Sequence, residues 1–177
     1  MGINVKKIKF MLAAICCSVS FSAMADKPGA KVDPTYKPSP GQAGKDVIWL
    51  PTGSELVTKM LKTANVTSKD LVYDLGAGDG KIAIAAAKEF GAKAVGIEFN
   101  PNMAAYAQRN AKQAGVGHLV KIINGDIFVE DFSKATVVTL YLLPDLNIKL
   151  RPTILKMKPG TRAVSYTHLT LPTNREV

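Results

Sequence analysis

The chain has almost no cysteine. Its two cysteines, Cys16 and Cys17, are adjacent in an apolar amino-terminal stretch, so everything after residue 17 lacks them. That absence excludes disulfides, a cysteine nucleophile and thiolate metal sites from the main domain. Histidine is nearly as scarce: His118 and His168 alone cannot make a familiar zinc cluster, so no metal site is expected. Acid is also short, with 14 Asp and Glu against 23 Lys and Arg, for a formal net charge of +9. Such an excess suits an acidic partner or an anionic membrane face. It is thinly spread, however, and no Lys/Arg run is interleaved with aromatics. Solubility explains it, and nucleic acid is not indicated as a partner.

What is present in quantity is apolar residue: 47% of 177 residues, enough for one domain with a packed core. The first ten residues carry Lys6, Lys7 and Lys9 and no acid. An apolar stretch over residues 10–25 follows, ending in Ala23-Met24-Ala25 before Asp26. A basic start, an apolar segment and small residues at −3 and −1 make residues 1–25 a signal peptide cleaved after Ala25. The stretch is 16 residues long, short of the ~20 that span a bilayer comfortably, so the mature chain is expected to have no transmembrane helix. The expected location is the bacterial periplasm. An uncleaved segment would anchor the chain with its lysines inside and the domain outside.

Residues 26–46 are rich in Pro, Gly and Lys without hydrophobic period and read as a flexible linker. The domain is expected over residues 47–165. Thr52 and Glu55 have capping-box spacing ahead of a helix carrying Leu56, Met60, Leu61 and Ala64. Strands and helices then alternate. Strands are predicted over residues 71–75, 94–97, 120–123, 135–142 and 162–165, and helices over 81–90 and 100–114. Residues 146–157 read as helical, with Pro152 starting a second, shorter helix. Short apolar strands separated by helices require a parallel sheet covered on both faces. The expected class is therefore α/β, doubly wound and Rossmann-like, with its ligand site at the carboxyl ends of the strands.

The first strand runs into Gly76-Ala77-Gly78-Asp79-Gly80. Glycines there let the backbone turn tightly and approach a ligand. The neighbouring acids decide which ligand. Gly80-Lys81 is followed by Ile82, not Ser or Thr, and the spacing is one residue short of a phosphate-binding loop. Asp74 and Asp79 would repel a pyrophosphate but attract a sulfonium and an ammonium group, both present in S-adenosylmethionine. Glu98, 22 residues after Gly76, can accept bonds from both ribose hydroxyls. Asp126, beyond the third strand, can accept from the adenine amino group, with Phe99 and Ile127 as apolar faces for the base.

Residues 72–80, Val-Tyr-Asp-Leu-Gly-Ala-Gly-Asp-Gly, resemble the first motif of class I, seven-stranded S-adenosylmethionine-dependent methyltransferases. Residues 95–101, Val-Gly-Ile-Glu-Phe-Asn-Pro, resemble their acidic second motif. More narrowly, Leu50-Pro51-Thr52, Asp79-Gly80-Lys81-Ile82 and Glu98-Phe99-Asn100-Pro101 are similar to small protein-lysine methyltransferases that modify mitochondrial carriers and the c-ring protein of ATP synthase, and to their bacterial relatives. The resemblance implies that Asp74, Gly76 and Gly78 hold the methionine end, Glu98 the ribose and Asp126 the adenine. Tyr141 and Pro144, at the end of the fourth strand, would lie on the acceptor side. No catalytic base is assigned, because an activated methyl needs positioning and a dry site more than proton transfer. The implied partner is a protein, membrane-associated or not. A small-molecule acceptor and an exported, non-catalytic binding domain are the alternatives.

Back-translated as GTC TCT TAT ACA CAT CTG ACG CTG CCG ACG, residues 164–173 reproduce a common transposase sequencing adapter. Residues 166–177 are therefore expected to be a non-native tail, and the sheet to stop after its fifth strand, where the family resemblance implies seven in the order 3-2-1-4-5-7-6.

Overall fold

The computed structural model describes residues 32–46 and 48–167. The expected signal peptide, Val47, His168 and most of the expected foreign tail lie outside the described residues. Nine elements follow one another: α1 (Ser54–Thr63), β1 (Leu71–Leu75), α2 (Lys81–Phe90), β2 (Lys93–Glu98), α3 (Pro101–Gln113), β3 (Val120–Asn124), β4 (Val137–Leu140), α4 (Pro144–Leu155) and β5 (Arg162–Ser165). The strands form one parallel sheet in the order β3-β2-β1-β4-β5. This is the doubly wound α/β architecture expected from the strand and helix pattern.

Alternation along each strand feeds two cores. Val72, Ala94, Val120 and Val137 pack with α1, α2 and α3 on one face; Tyr73, Leu75, Val95, Ile97, Val138 and Leu140 pack with Leu146, Leu150 and Ile154 of α4 on the other. Leu75, Ile97 and Leu140 are wholly buried, each contributing roughly 1.5–3 kcal/mol relative to exposure. Alanine on the inner face of α2 (Ala83, Ala86, Ala87) brings that helix close to the sheet. The order reverses at β1, whose neighbours are β2 on one side and β4 on the other, so the loops after these strands diverge and leave a crevice.

Several local expectations are corrected. Thr52 and Glu55 do not form a capping box: Gly53 is the N-cap of α1 and makes no side-chain bond. The helix begins one residue later than the spacing assumed, so Thr52 falls before the cap and Glu55 at the second helical position. Pro152 does not start a new helix but lies within α4. It is on the exposed side, where the Ile148 carbonyl deprived of a partner can meet water. β4 spans only Val137–Leu140, half the predicted length.

The segment read as a free linker is, over residues 33–46, laid along the domain. The Asp33 N–H donates to Asn102 Oδ1 at the start of α3, and Arg109 donates to the Tyr36 carbonyl. The Tyr36 ring meets Tyr106 edge-on at 6.4 Å. Further on, Gly41 N–H donates to the Trp49 carbonyl and Trp49 N–H to the Gln42 carbonyl, with an antiparallel bridge between Ala43 and Ile48. Backbone pairing and α3 contacts invisible to a composition reading hold this strap. No helix among the described residues is long and apolar enough to cross a membrane.

Candidate functional site

A cavity of about 540 Å³ opens at the carboxyl ends of β1, β2 and β4. Its lining includes Asp74, Gly76, Glu98, Phe99, Asp126, Ile127 and Tyr141 from the sequence-predicted set. Gly78 and Pro144 are not among the lining residues; Leu143 lines the cavity beside Pro144.

Asp74 is the most deeply set of these groups, 2% exposed on β1. Its register partner across to β4 is Thr139, whose hydroxyl donates to Asp74 Oδ1 at 2.7 Å. Asp74 Oδ2 has no hydrogen-bond partner. Burial pushes the carboxyl from 3.8 up to about 7; the Thr139 bond opposes this, and the Asp79 and Glu98 charges add to it. An orphaned buried oxygen is costly and calls for a donor, best a cationic one.

Glu98 ends β2 and accepts from two backbone groups, Gly78 N–H on Oε2 and Asn100 N–H on Oε1, each at 2.9 Å. Burial raises its pKa against those backbone bonds. The Gly78 contact explains how an acid on one strand shapes the glycine loop of the next. Gly76 and Gly78 both have positive φ, +81° and +54°. A side chain at Gly78 would strike the Trp49 indole at 2.5 Å, and one at Gly76 would strike Leu142 at 2.8 Å. Gly78 thus serves by letting Trp49 close over the loop rather than by facing the cavity. Asp79 Oδ1 accepts from the N–H of Lys81, the first residue of α2, whose N-cap is Gly80. The Lys81 ammonium donates to the Thr52 carbonyl at 2.8 Å and ties the strap's end to the glycine loop.

The outer end of the cavity is built differently. Asp126 Oδ1 accepts from the Phe128 N–H, and Oδ2 pairs with the Lys45 ammonium at 2.5 Å. That ammonium also stands 4.9 Å from the centre of the Phe99 ring and 5.9 Å from that of Phe128. Phe99 is 50% exposed. Tyr141 is half-buried and lies 5.3 Å from Tyr166, ring centre to centre.

Sequence reasoning missed Thr139, Trp49, Lys45 and Lys81. Thr139 was legible only as a polar residue in an apolar strand; the register makes it Asp74's partner. Lys45 and Trp49 owe their places to the strap and its backbone pairing over residues 41–49, and Lys81, on α2, matters through its bond to the Thr52 carbonyl; none of these long-range contacts has a local sequence signal.

The residues fit S-adenosylmethionine: a buried unsatisfied carboxylate at the inner end, a second acid at the end of β2, and a ring and an acid at the outer end. A model of the ANTKMT methyltransferase domain matches residues 74–173, a stretch that covers both glycine-loop and acidic motifs and runs past β5. The chain is 46% identical over 122 residues to a protein-lysine N-methyltransferase of Saccharolobus islandicus, covering 68% of this chain and 76% of that protein. It is 35% identical over 96 residues to the human lysine N-methyltransferase named for the ATP synthase c-subunit, covering 54% of this chain and only 39% of that protein. Among solved structures, an RNA methyltransferase from Salinibacter ruber in complex with S-adenosyl-L-homocysteine is 51% identical, with a TM-score of 0.64, covering 66% of this chain and 76% of that one.

Proposed function

The chain belongs to the ANTKMT methyltransferase domain family, and from that premise we propose that this S-adenosylmethionine-dependent methyltransferase alkylates a lysine amine of a protein. The observation that carries the cofactor reading is Asp74 Oδ2, buried and unpartnered at the floor of the cavity. When bound, the cofactor supplies a sulfonium-activated methyl group. Asp74 receives its ammonium group, and the Gly76 turn leaves room for the methionine end. Glu98 accepts from the ribose with the lone pairs left after its two backbone bonds. Phe99, Ile127 and Asp126 take the base.

On the acceptor side Tyr141, Leu142, Leu143 and Leu146 line the cavity with largely apolar surface. A lysine amine entering there loses water, which favours its neutral, nucleophilic form. Tyr141 orients it. No side chain is assigned as a base, since desolvation and in-line positioning supply the rate. The lysine acceptor is supported by the Saccharolobus and human relatives, both named as lysine methyltransferases.

The Salinibacter relative, described as an RNA methyltransferase, supports a second reading in which the acceptor is RNA. Methyl-labelled cofactor, incubated with the protein and separated membrane, soluble-protein and RNA fractions, distinguishes the two. Label that survives ribonuclease and is recovered as methyl-lysine supports the proposal; label confined to nucleotides ends it. Cofactor binding with no transfer to any fraction would favour a non-catalytic binding domain, and label in extractable metabolites a small-molecule acceptor. Export is part of the same proposal, since residues 1–25 have the plan of a secretory signal. A reporter active only outside the cytoplasm, fused after residue 46, should be active; a silent fusion removes export from the reading.

A further inference from the structure

The strap covers the outer end of the cavity with the Lys45 ammonium, and two of that cation's contacts, Asp126 and Phe99, are made to the expected base subsite. Lys45 Nζ is 2.5 Å from Asp126 Oδ2, 4.9 Å from the Phe99 ring centre and 5.9 Å from the Phe128 ring centre, and it also stands 3.9 Å from Asp46 Oδ2. An ammonium over a ring face is held by the ring's quadrupole, and the carboxylate adds charge. Lys45 therefore satisfies the acid and covers a ring that an adenine would otherwise use. The strap is held elsewhere as well: Trp49 closes over Gly78, Lys81 grips the Thr52 carbonyl, and residues 33–36 rest on α3.

We propose that Lys45 is a gating residue for the cofactor, a tethered ammonium that occupies the base subsite in the free protein and is exchanged for adenine when the cofactor binds. This rests on the reading of Asp126 and Phe99 as the base subsite. The geometry gives the exchange a sign. Removing the Lys45 charge frees the subsite and strengthens cofactor binding, whereas a lysine that merely roofed the bound cofactor would weaken binding when removed. The strap also carries a reporter, because Trp49 is the only tryptophan in the chain and is half-buried between strap and glycine loop.

The test uses the full chain and its Lys45→Met variant, titrated with S-adenosylhomocysteine by calorimetry and followed by Trp49 fluorescence in stopped flow. Lys45 is exposed in a loop, so the variant leaves the core intact. The variant should bind about two- to five-fold more tightly, the range expected from losing a part-exposed competing ion pair, with the gain in the association rate. In the free variant, acrylamide should quench Trp49 more readily than in the parent, a change no catalytic defect would produce. Equal or weaker binding by the variant overturns the gate while leaving the cofactor reading intact. Failure of the parent itself to bind S-adenosylhomocysteine overturns both.

Discussion

The two ends of the cavity hold the same kind of group, an aspartate in the lining, in opposite ways. At the inner end Asp74 is sealed between β1 and β4, holds one hydrogen bond and is pushed by burial to about 7. At the outer end Asp126 is in reach of solvent and saturated by Lys45 and the Phe128 N–H. The inner acid is left needing a cation, and the outer one already has one. Burial makes the difference: in a low dielectric an unpaired carboxylate is expensive and a partner is worth much, whereas near water the same pair is worth little. Affinity should therefore be concentrated at the inner end, and control of access at the outer end.

The largest effect should follow from Asp74→Asn. Losing the charge-assisted bond to the ligand ammonium should cut affinity for S-adenosylhomocysteine by roughly 10- to 100-fold by calorimetry. The unliganded protein should melt a few degrees higher at neutral pH, because a buried charge has gone. Unchanged affinity would erase the contrast between the two ends.

Next comes pH. Asp74 has its pKa raised on folding, from 3.8 to about 7. Its contribution to stability is therefore full below its unfolded value and is lost as pH rises through about 7. Cofactor affinity should run the other way and grow across the same interval, since the ammonium group needs the charged carboxylate. Melting and titration from pH 5 to 8 should show the two trends crossing; parallel trends would place the titrating group elsewhere.

Gly78→Ala should lower the melting temperature by several degrees, because it combines a positive φ with a clash against Trp49. Thr139→Val removes Asp74's one donor and nearly preserves volume. It should weaken binding at pH 7 by about five-fold and move the pH at which binding develops upward, which a purely structural role would not do. The smallest effect should be that of deleting residues 168–177, expected to be foreign sequence. Folding and cofactor affinity should be unchanged, and a loss of either would return those residues to the domain.

Much of the fold was legible because its signals are local. The five apolar strand runs and the glycine loop appear where periodicity put them, β4 at half its expected length, and α3 starts where its helix was expected, with Asn100 Oδ1 accepting from both Asn102 and Met103 N–H groups. The acids of the site were legible because strand ends in a doubly wound sheet converge, which brings Asp74, Glu98 and Asp126 to one cavity. The strap was illegible because Pro, Gly and Lys carry no period. Its order comes from contacts across long sequence separations, such as Lys45 with Asp126 and Arg109 with Tyr36. Thr52 misled because capping-box spacing is satisfied by chance when a helix starts one residue later.

The sequence by itself determined the layering, the parallel sheet and which acids would meet, since hydrophobic period and glycine-bounded strand ends admit few other arrangements. Only the tertiary structure decided the states of those acids. Whether a carboxylate is orphaned, as Asp74 Oδ2 is, or already engaged, as Asp126 is, depends on which groups the fold brings within about 3 Å and how much water it leaves beside them. Those are properties of packing across the chain, and no local pattern of residues encodes them.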